Sequence, residues 1–127
     1  MLLFAYGTLK QGGKYHCYLE EAELVEERAT AKGILYDTGM GYPAMILSDS
    51  GQIEGEVYDI PDVLWPALDY LEDYSGNSET DMYDKVTIKV EVGSKSMETI
   101  VYIAKNEKLL TRQILTGTWD TDHSATV

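Results

Sequence analysis

The chain opens on an uncharged apolar run, Leu2-Leu3-Phe4-Ala5-Tyr6, that stops at Gly7-Thr8. Such a run, closed by the first glycine, predicts a buried strand with a loop at its carboxyl end. Lys14 to Glu21 lacks Gly and Pro and sets Tyr15, Tyr18 and Leu19 at helix-like spacing, which predicts a short helix or helical turn. Two strands are expected next, Glu23 to Arg28 and Thr30 to Asp37, the second ending before Thr38-Gly39-Met40-Gly41. Tyr42 to Leu47 reads as a further strand with Pro43 at its start, where a missing N–H matters least. After a turn at Asp49-Ser50-Gly51, Gln52 to Ile60 alternates, with Ile53, Gly55, Val57 and Asp59 on one face and Glu54, Glu56, Tyr58 and Ile60 on the other. Neither face is wholly apolar, which fits a barrel strand between a core and a partly polar pocket, and fits an edge strand as well.

Pro61-Asp62 announces a helix whose first turn is loosened by Pro66, so the regular part is expected from about Pro66 to Asp73. On a helical wheel Ala67, Leu68 and Leu71 share a face with Leu64, while Asp69 and Asp73 point the opposite way. Glu72 falls about 40° past Leu68, on the shoulder of the apolar stripe, and of these carboxylates it alone looks inward. Ser75 to Asp81 is a loop by composition, a mobile candidate lid over whatever Glu72 faces. Met82 to Val92 and Ser96 to Lys105 alternate most clearly and predict a hairpin turning at Gly93-Ser94-Lys95. Glu107 to Leu115 suggests a short helix, and Thr116 to Val127 a tail with Trp119 as its anchor.

A length of 127 residues gives one domain, 1–127 with a tail from about Thr116. A formal net charge of −12 repels phosphate backbones and anionic lipid faces, which argues against nucleic acid or membrane partners. The single cysteine, Cys17, cannot close a disulfide within the chain, and Leu2 to Tyr6 is too short for a signal peptide or a membrane span. A cytoplasmic protein is expected; the oligomeric state stays open. Cys17 follows His16, but sequence neighbours rarely face one another on a helix or strand, so packing is the better reading of the pair. Gly39-Met40-Gly41 is not followed by a helical pattern and fails as a dinucleotide fingerprint. The acids of the Ser75 to Asp81 loop lack calcium-loop spacing, and neither histidine has a ligand partner at useful separation, so no metal site is expected.

What remains is a small polar pocket. Gly7 could free the backbone torsions and let a ligand approach closely, with the N–H groups of Thr8 and Leu9 directed outward as an anion site; an ordinary first strand and turn fits the same residues. A lone, partly buried carboxyl group at Glu72 suits general acid–base catalysis, because burial raises its pKa toward working pH. A solvated residue at a helix end would fit that position too.

A longer set of residues bears on both alternatives: Tyr6-Gly7-Thr8-Leu9-Lys10 with Gly12, His16 and Leu19, then Gly33-Ile34-Leu35-Tyr36, Tyr42-Pro43-Ala44, Gly55-Glu56-Val57-Tyr58 and Leu68-Asp69-Tyr70-Leu71-Glu72-Asp73-Tyr74. In this order and spacing the set resembles the gamma-glutamylcyclotransferase-like family, in particular its small bacterial members and the gamma-glutamylamine cyclotransferases. The resemblance runs to about Tyr102. It implies an α+β fold, a small mixed β-barrel with a few short helices, and an enzyme that needs no cofactor. By that likeness a gamma-glutamyl amine or amino acid is the small-molecule partner. Its gamma-glutamyl group is held by the loop Tyr6, Gly7, Thr8 and Leu9 and by Tyr83 and Tyr102, and Glu72 acts as general base and acid. The products are 5-oxoproline and the free amine. Relatives often read Leu-Glu-Gly-Tyr where this chain has Leu71-Glu72-Asp73-Tyr74, a difference that bears on substrate preference. A non-catalytic binding module on the same fold, or an amidase or acyltransferase on another gamma-linked amide, would use the same pocket.

Overall fold

Alternation along the chain becomes strands β1 (Leu2–Ala5), β2 (Glu23–Asp37), β3 (Pro43–Asp59), β4 (Tyr83–Val92), β5 (Lys95–Ala104) and β6 (Arg112–Gln113), and the α-helix α1 (Trp65–Leu71) lies between β3 and β4. The structure, a computed structural model, describes residues 1–76 and 81–120. Strand order is β3-β1-β5-β4-β2, and β2 pairs back onto β3, which closes a mixed barrel; β6 flanks β2 outside the ring. β1 and β5 run parallel, with Leu3 opposite Ile100, and the other pairs are antiparallel.

β1 is uncharged because both its faces are buried. Phe4 and Tyr6 point into the barrel with Met45, Ile53, Val57 and Val101. Leu3 and Ala5 turn to the outer layer, where Trp65 and Leu68 of α1 pack with Tyr83 and Tyr102. Full burial of a side chain such as Leu68 contributes about 2 kcal/mol, enough to hold so short a helix that would not form alone.

β2 is one strand where two were expected. Glu23 to Lys32 contains neither Gly nor Pro to stop it, and its register slips between Leu24 and Glu26 and between Glu26 and Ala29 bend it around the barrel without breaking it. β3 likewise runs through the expected turn. Lys32 faces Gln52 while Gly33 faces Leu47, so Ser48 to Gly51 bulge out of the β2 ladder and the strand resumes. β3 is no edge, since it pairs with both β1 and β2. Its second face, at Tyr58 and Ile60, buries against the α1 layer rather than facing a pocket.

The β4–β5 hairpin turns at Gly93, whose φ of 60° suits the first central position of a tight hairpin turn. Beyond β5 the expected helix shrinks to a 3-10 turn, Glu107–Leu109, capped by Asn106 Oδ1 accepting from Lys108 N–H. The chain then adds β6 to β2. The segment after Thr116 is tied at more than Trp119. Glu54 N–H donates to Gly117 O, and Lys10 Nζ donates to Trp119 O at 2.8 Å. The tail from 121 onward and residues 77–80 of the expected lid lie outside the described residues.

Candidate active site

Where β1 ends, the chain folds into a tight loop. Lys10 N–H donates to Gly7 O and Tyr15 N–H to Thr8 O, and His16 Nδ1 lies 2.8 Å from Leu9 O. That contact gives His16 its role, and Cys17 beside it is exposed. Thr8 and Leu9 N–H donate to no protein acceptor among the described residues. Gly7 is glycine for a different reason from the one expected. Its φ is not positive; instead a Cβ there would stand 2.6 Å from Pro43 Cγ, so the close neighbour demands the missing side chain.

The second wall comes from α1. Pro66 sits in its first turn, where its lack of an N–H costs nothing. The helix ends in a Schellman motif: Tyr74 N–H donates to Asp69 O, Asp73 N–H to Tyr70 O, and Asp73 takes the left-handed position with φ 52°. Glu72 is the cap residue, and the motif turns it toward the end of β1. Asp73→Gly should raise stability by on the order of 0.5 to 1 kcal/mol, because glycine adopts that φ without strain. A urea midpoint at or below that of the wild type would refute this.

Between these walls lies a cavity of about 210 Å³ lined by Tyr6, Gly7, Thr8, Leu9, Glu72, Tyr83 and Tyr102 among others. All seven residues singled out in the sequence meet there. Burial raises the Glu72 carboxyl from its ordinary range to about 7, and no group among the described residues donates a hydrogen bond to it. The phenols are pushed up as well, chiefly by burial, so each stays protonated at neutral pH. Each has also committed its proton: Tyr6 to Tyr102 O (2.6 Å), Tyr83 to Pro43 O (2.9 Å), Tyr102 to Asp69 Oδ1 (2.6 Å). The oxygens of Tyr83 and Tyr102 can therefore accept hydrogen bonds from a bound molecule.

Two positions correct the helical wheel. Asp69 does not point away: it accepts from Tyr102 and from Lys85 Nζ at 3.0 Å, and Lys85 lies over the Trp65 ring at 4.5 Å. Asp73 is exposed, as the wheel has it, but it also lines the cavity beside Glu72 rather than standing clear of it. Tyr15, Tyr42 and Met82 also line it and were not foreseen; the only local signal was the placement of Tyr15 and Tyr42 just after glycine-bearing turns. Among the described residues no three His, Cys, Asp or Glu side chains are grouped to hold a metal ion.

Barrel and cavity together define a small α+β protein whose cavity is lined by a carboxyl group that burial raises to about 7. Residues 3–121 match the sequence profile of the gamma-glutamyl cyclotransferase, AIG2-like family, and the chain belongs to that family. The family supports an enzyme. A gamma-L-glutamyl-butirosin B gamma-glutamyl cyclotransferase of Niallia circulans is 37% identical over 89 residues, which is 69% of this chain and 56% of that protein. The match thus spans little more than half of that relative. Among solved structures, YkqA of Bacillus subtilis superposes with a TM-score of 0.77 at 28% identity, covering 98% of this chain and 41% of that one. An AIG2-like protein of Mus musculus gives 0.76 at 25% identity, covering 94% and 87%. Among the described residues no helix is long and apolar enough to cross a membrane.

Proposed function

We propose that the chain cyclises the gamma-glutamyl group of a gamma-glutamyl amine or amino acid to 5-oxoproline and releases the amine, with Glu72 as general base and then general acid. The observation that carries this reading is the Glu72 carboxyl group, raised to about 7 by burial, in the cavity that also receives the Gly7 to Leu9 loop. The substrate's α-carboxylate binds the free N–H groups of Thr8 and Leu9. Its α-ammonium gives a proton to the Glu72 carboxylate, and the freed amine attacks the gamma-carbonyl carbon to form the lactam C–N bond. As the gamma C–N bond breaks, the two protons shed by the α-nitrogen end on the departing nitrogen, relayed by Glu72, so the amine leaves as an ammonium. Atoms and charge balance without cofactor or water. Holding amine and carbonyl together supplies much of the acceleration, and a pKa near neutrality lets one group serve both proton transfers. An exposed free thiol at Cys17 suits the reducing cytoplasm.

The test is a panel of gamma-glutamyl amines and amino acids incubated with the pure protein. 5-Oxoproline with stoichiometric amine supports the reading; free glutamate would replace it with hydrolysis, and saturable binding without product with a binding module. The pH dependence is a second check. The free enzyme needs Glu72 ionised, so kcat/KM should fall about tenfold per unit below an apparent pKa near 7. An acid limb near 4.5 would remove Glu72 from the base role.

A further inference from the structure

The cyclisation leaves Asp73 without a task, yet the Schellman motif holds this exposed residue in the lining of the same cavity. Tyr15 and Tyr42 share that lining. The Tyr42 phenol is pushed up first by burial and then by the negative charges of Glu72 and Asp73. No Lys, Arg or His lines the cavity, and Asp73 takes part in no ion pair among the described residues, which include every Lys and Arg of the chain. Lys14, exposed, lies over the Tyr15 ring at 5.3 Å, which leaves Tyr42 and Asp73 as the open pair. A carboxylate beside an aromatic face is the chemistry that recognises an organic cation. With no basic residue in its lining, the cavity disfavours a second anion on the departing part of the substrate.

On the proposed cyclisation, which this inference rests on, we propose that Asp73 is a specificity residue that selects gamma-glutamyl amides whose released amine carries a further positive charge, a diamine or polyamine rather than a simple alkylamine. Asp73 acts on binding of the departing half and takes no part in the proton transfers. The effect is that of one partly exposed ion pair, so the preference is on the order of 5-fold, and salt weakens it.

The experiment compares kcat/KM for two matched substrates, the gamma-glutamyl amides of 1,4-diaminobutane and of pentylamine, in the wild type and in Asp73→Asn. Asparagine tolerates the left-handed backbone as aspartate does, so the variant keeps the helix exit. The wild type should prefer the diamine amide about 5-fold, mostly through KM, and the preference should shrink as NaCl is raised. Asp73→Asn should bring the ratio of the two substrates near parity. The chain's overall negative charge acts on both proteins alike, so the change in ratio isolates Asp73. An equal ratio in wild type and variant, with 5-oxoproline formed from both substrates, overturns the inference alone. No 5-oxoproline from either substrate overturns the cyclisation itself, and this inference with it.

Discussion

Glu72→Gln should lose turnover by on the order of 10² to 10⁴ fold and yet be more stable than the wild type at pH 8. Glutamine keeps the shape and hydrogen-bonding capacity of the side chain but cannot accept the α-ammonium proton, so substrate affinity should change little. The stability gain follows from the pKa. In the unfolded chain Glu72 titrates in the ordinary carboxyl range; in the folded protein burial holds it near 7. Between those values the folded state binds the proton more tightly, so the stabilisation is complete below the unfolded pKa and is lost as pH rises through 7. Above that, the wild type carries a desolvated charge that the variant lacks. Because Glu72 is half-buried and water still screens it, the difference at pH 8 should be on the order of 1 to 3 kcal/mol, vanishing near pH 4. Urea melts of both proteins at the two pH values, beside 5-oxoproline assays, measure the two halves. Near wild-type turnover would remove Glu72 from catalysis; a variant less stable at pH 8 would show that the carboxylate has favourable partners.

The site was legible wherever a local rule carried it. The β4–β5 hairpin follows from uninterrupted alternation and Gly93, and the inward placement of Glu72 follows from the angular step between it and Leu68. Where the rule needed distant partners, it failed. A wheel treats a helix as a lone cylinder, but α1 is seven residues long, and Lys85 and Tyr102 rise beside its flank from strands sixteen and thirty-three residues away, so Asp69 has ligands on the side the wheel calls outward. Beyond the cap the wheel no longer applies. The left-handed turn at Asp73 keeps this exposed residue in the lining of the cavity. The same division explains the strands. Asp49-Ser50-Gly51 does fall where the register with β2 breaks, but whether such a signal ends a strand or bulges it depends on β2, which lies elsewhere in the sequence. Gly7 shows the limit most sharply, since the residue was readable as special while its cause, the ring of Pro43, was not.

Gly7→Val should damage both folding and catalysis, and Pro43 should account for the folding part. A Cβ at position 7 would lie 2.6 Å from Pro43 Cγ and 2.9 Å from Cδ, distances at which something must move. Pro43 is held: it opens β3 opposite Asp37, and its carbonyl accepts the Tyr83 hydroxyl at 2.9 Å. The loop is held as well, through Thr8 O and Leu9 O. Strain of this kind costs about 1 to 3 kcal/mol. Relief by shifting the loop moves the Thr8 and Leu9 N–H groups away from the substrate carboxylate, and a displacement of about 1 Å can cost on the order of 10²-fold in kcat/KM. Thr8→Ala should be mild by comparison, because the donors belong to the backbone. The smaller change Gly7→Ala permits a cycle with Pro43→Ala, which removes Cγ and Cδ. If the ring is the obstacle, the double variant should recover at least about 1 kcal/mol of the stability lost by Gly7→Ala. Additive losses in urea melts would mean that the ring is not what excludes a side chain. Unchanged kcat/KM in Gly7→Val would mean that the loop does not hold the substrate.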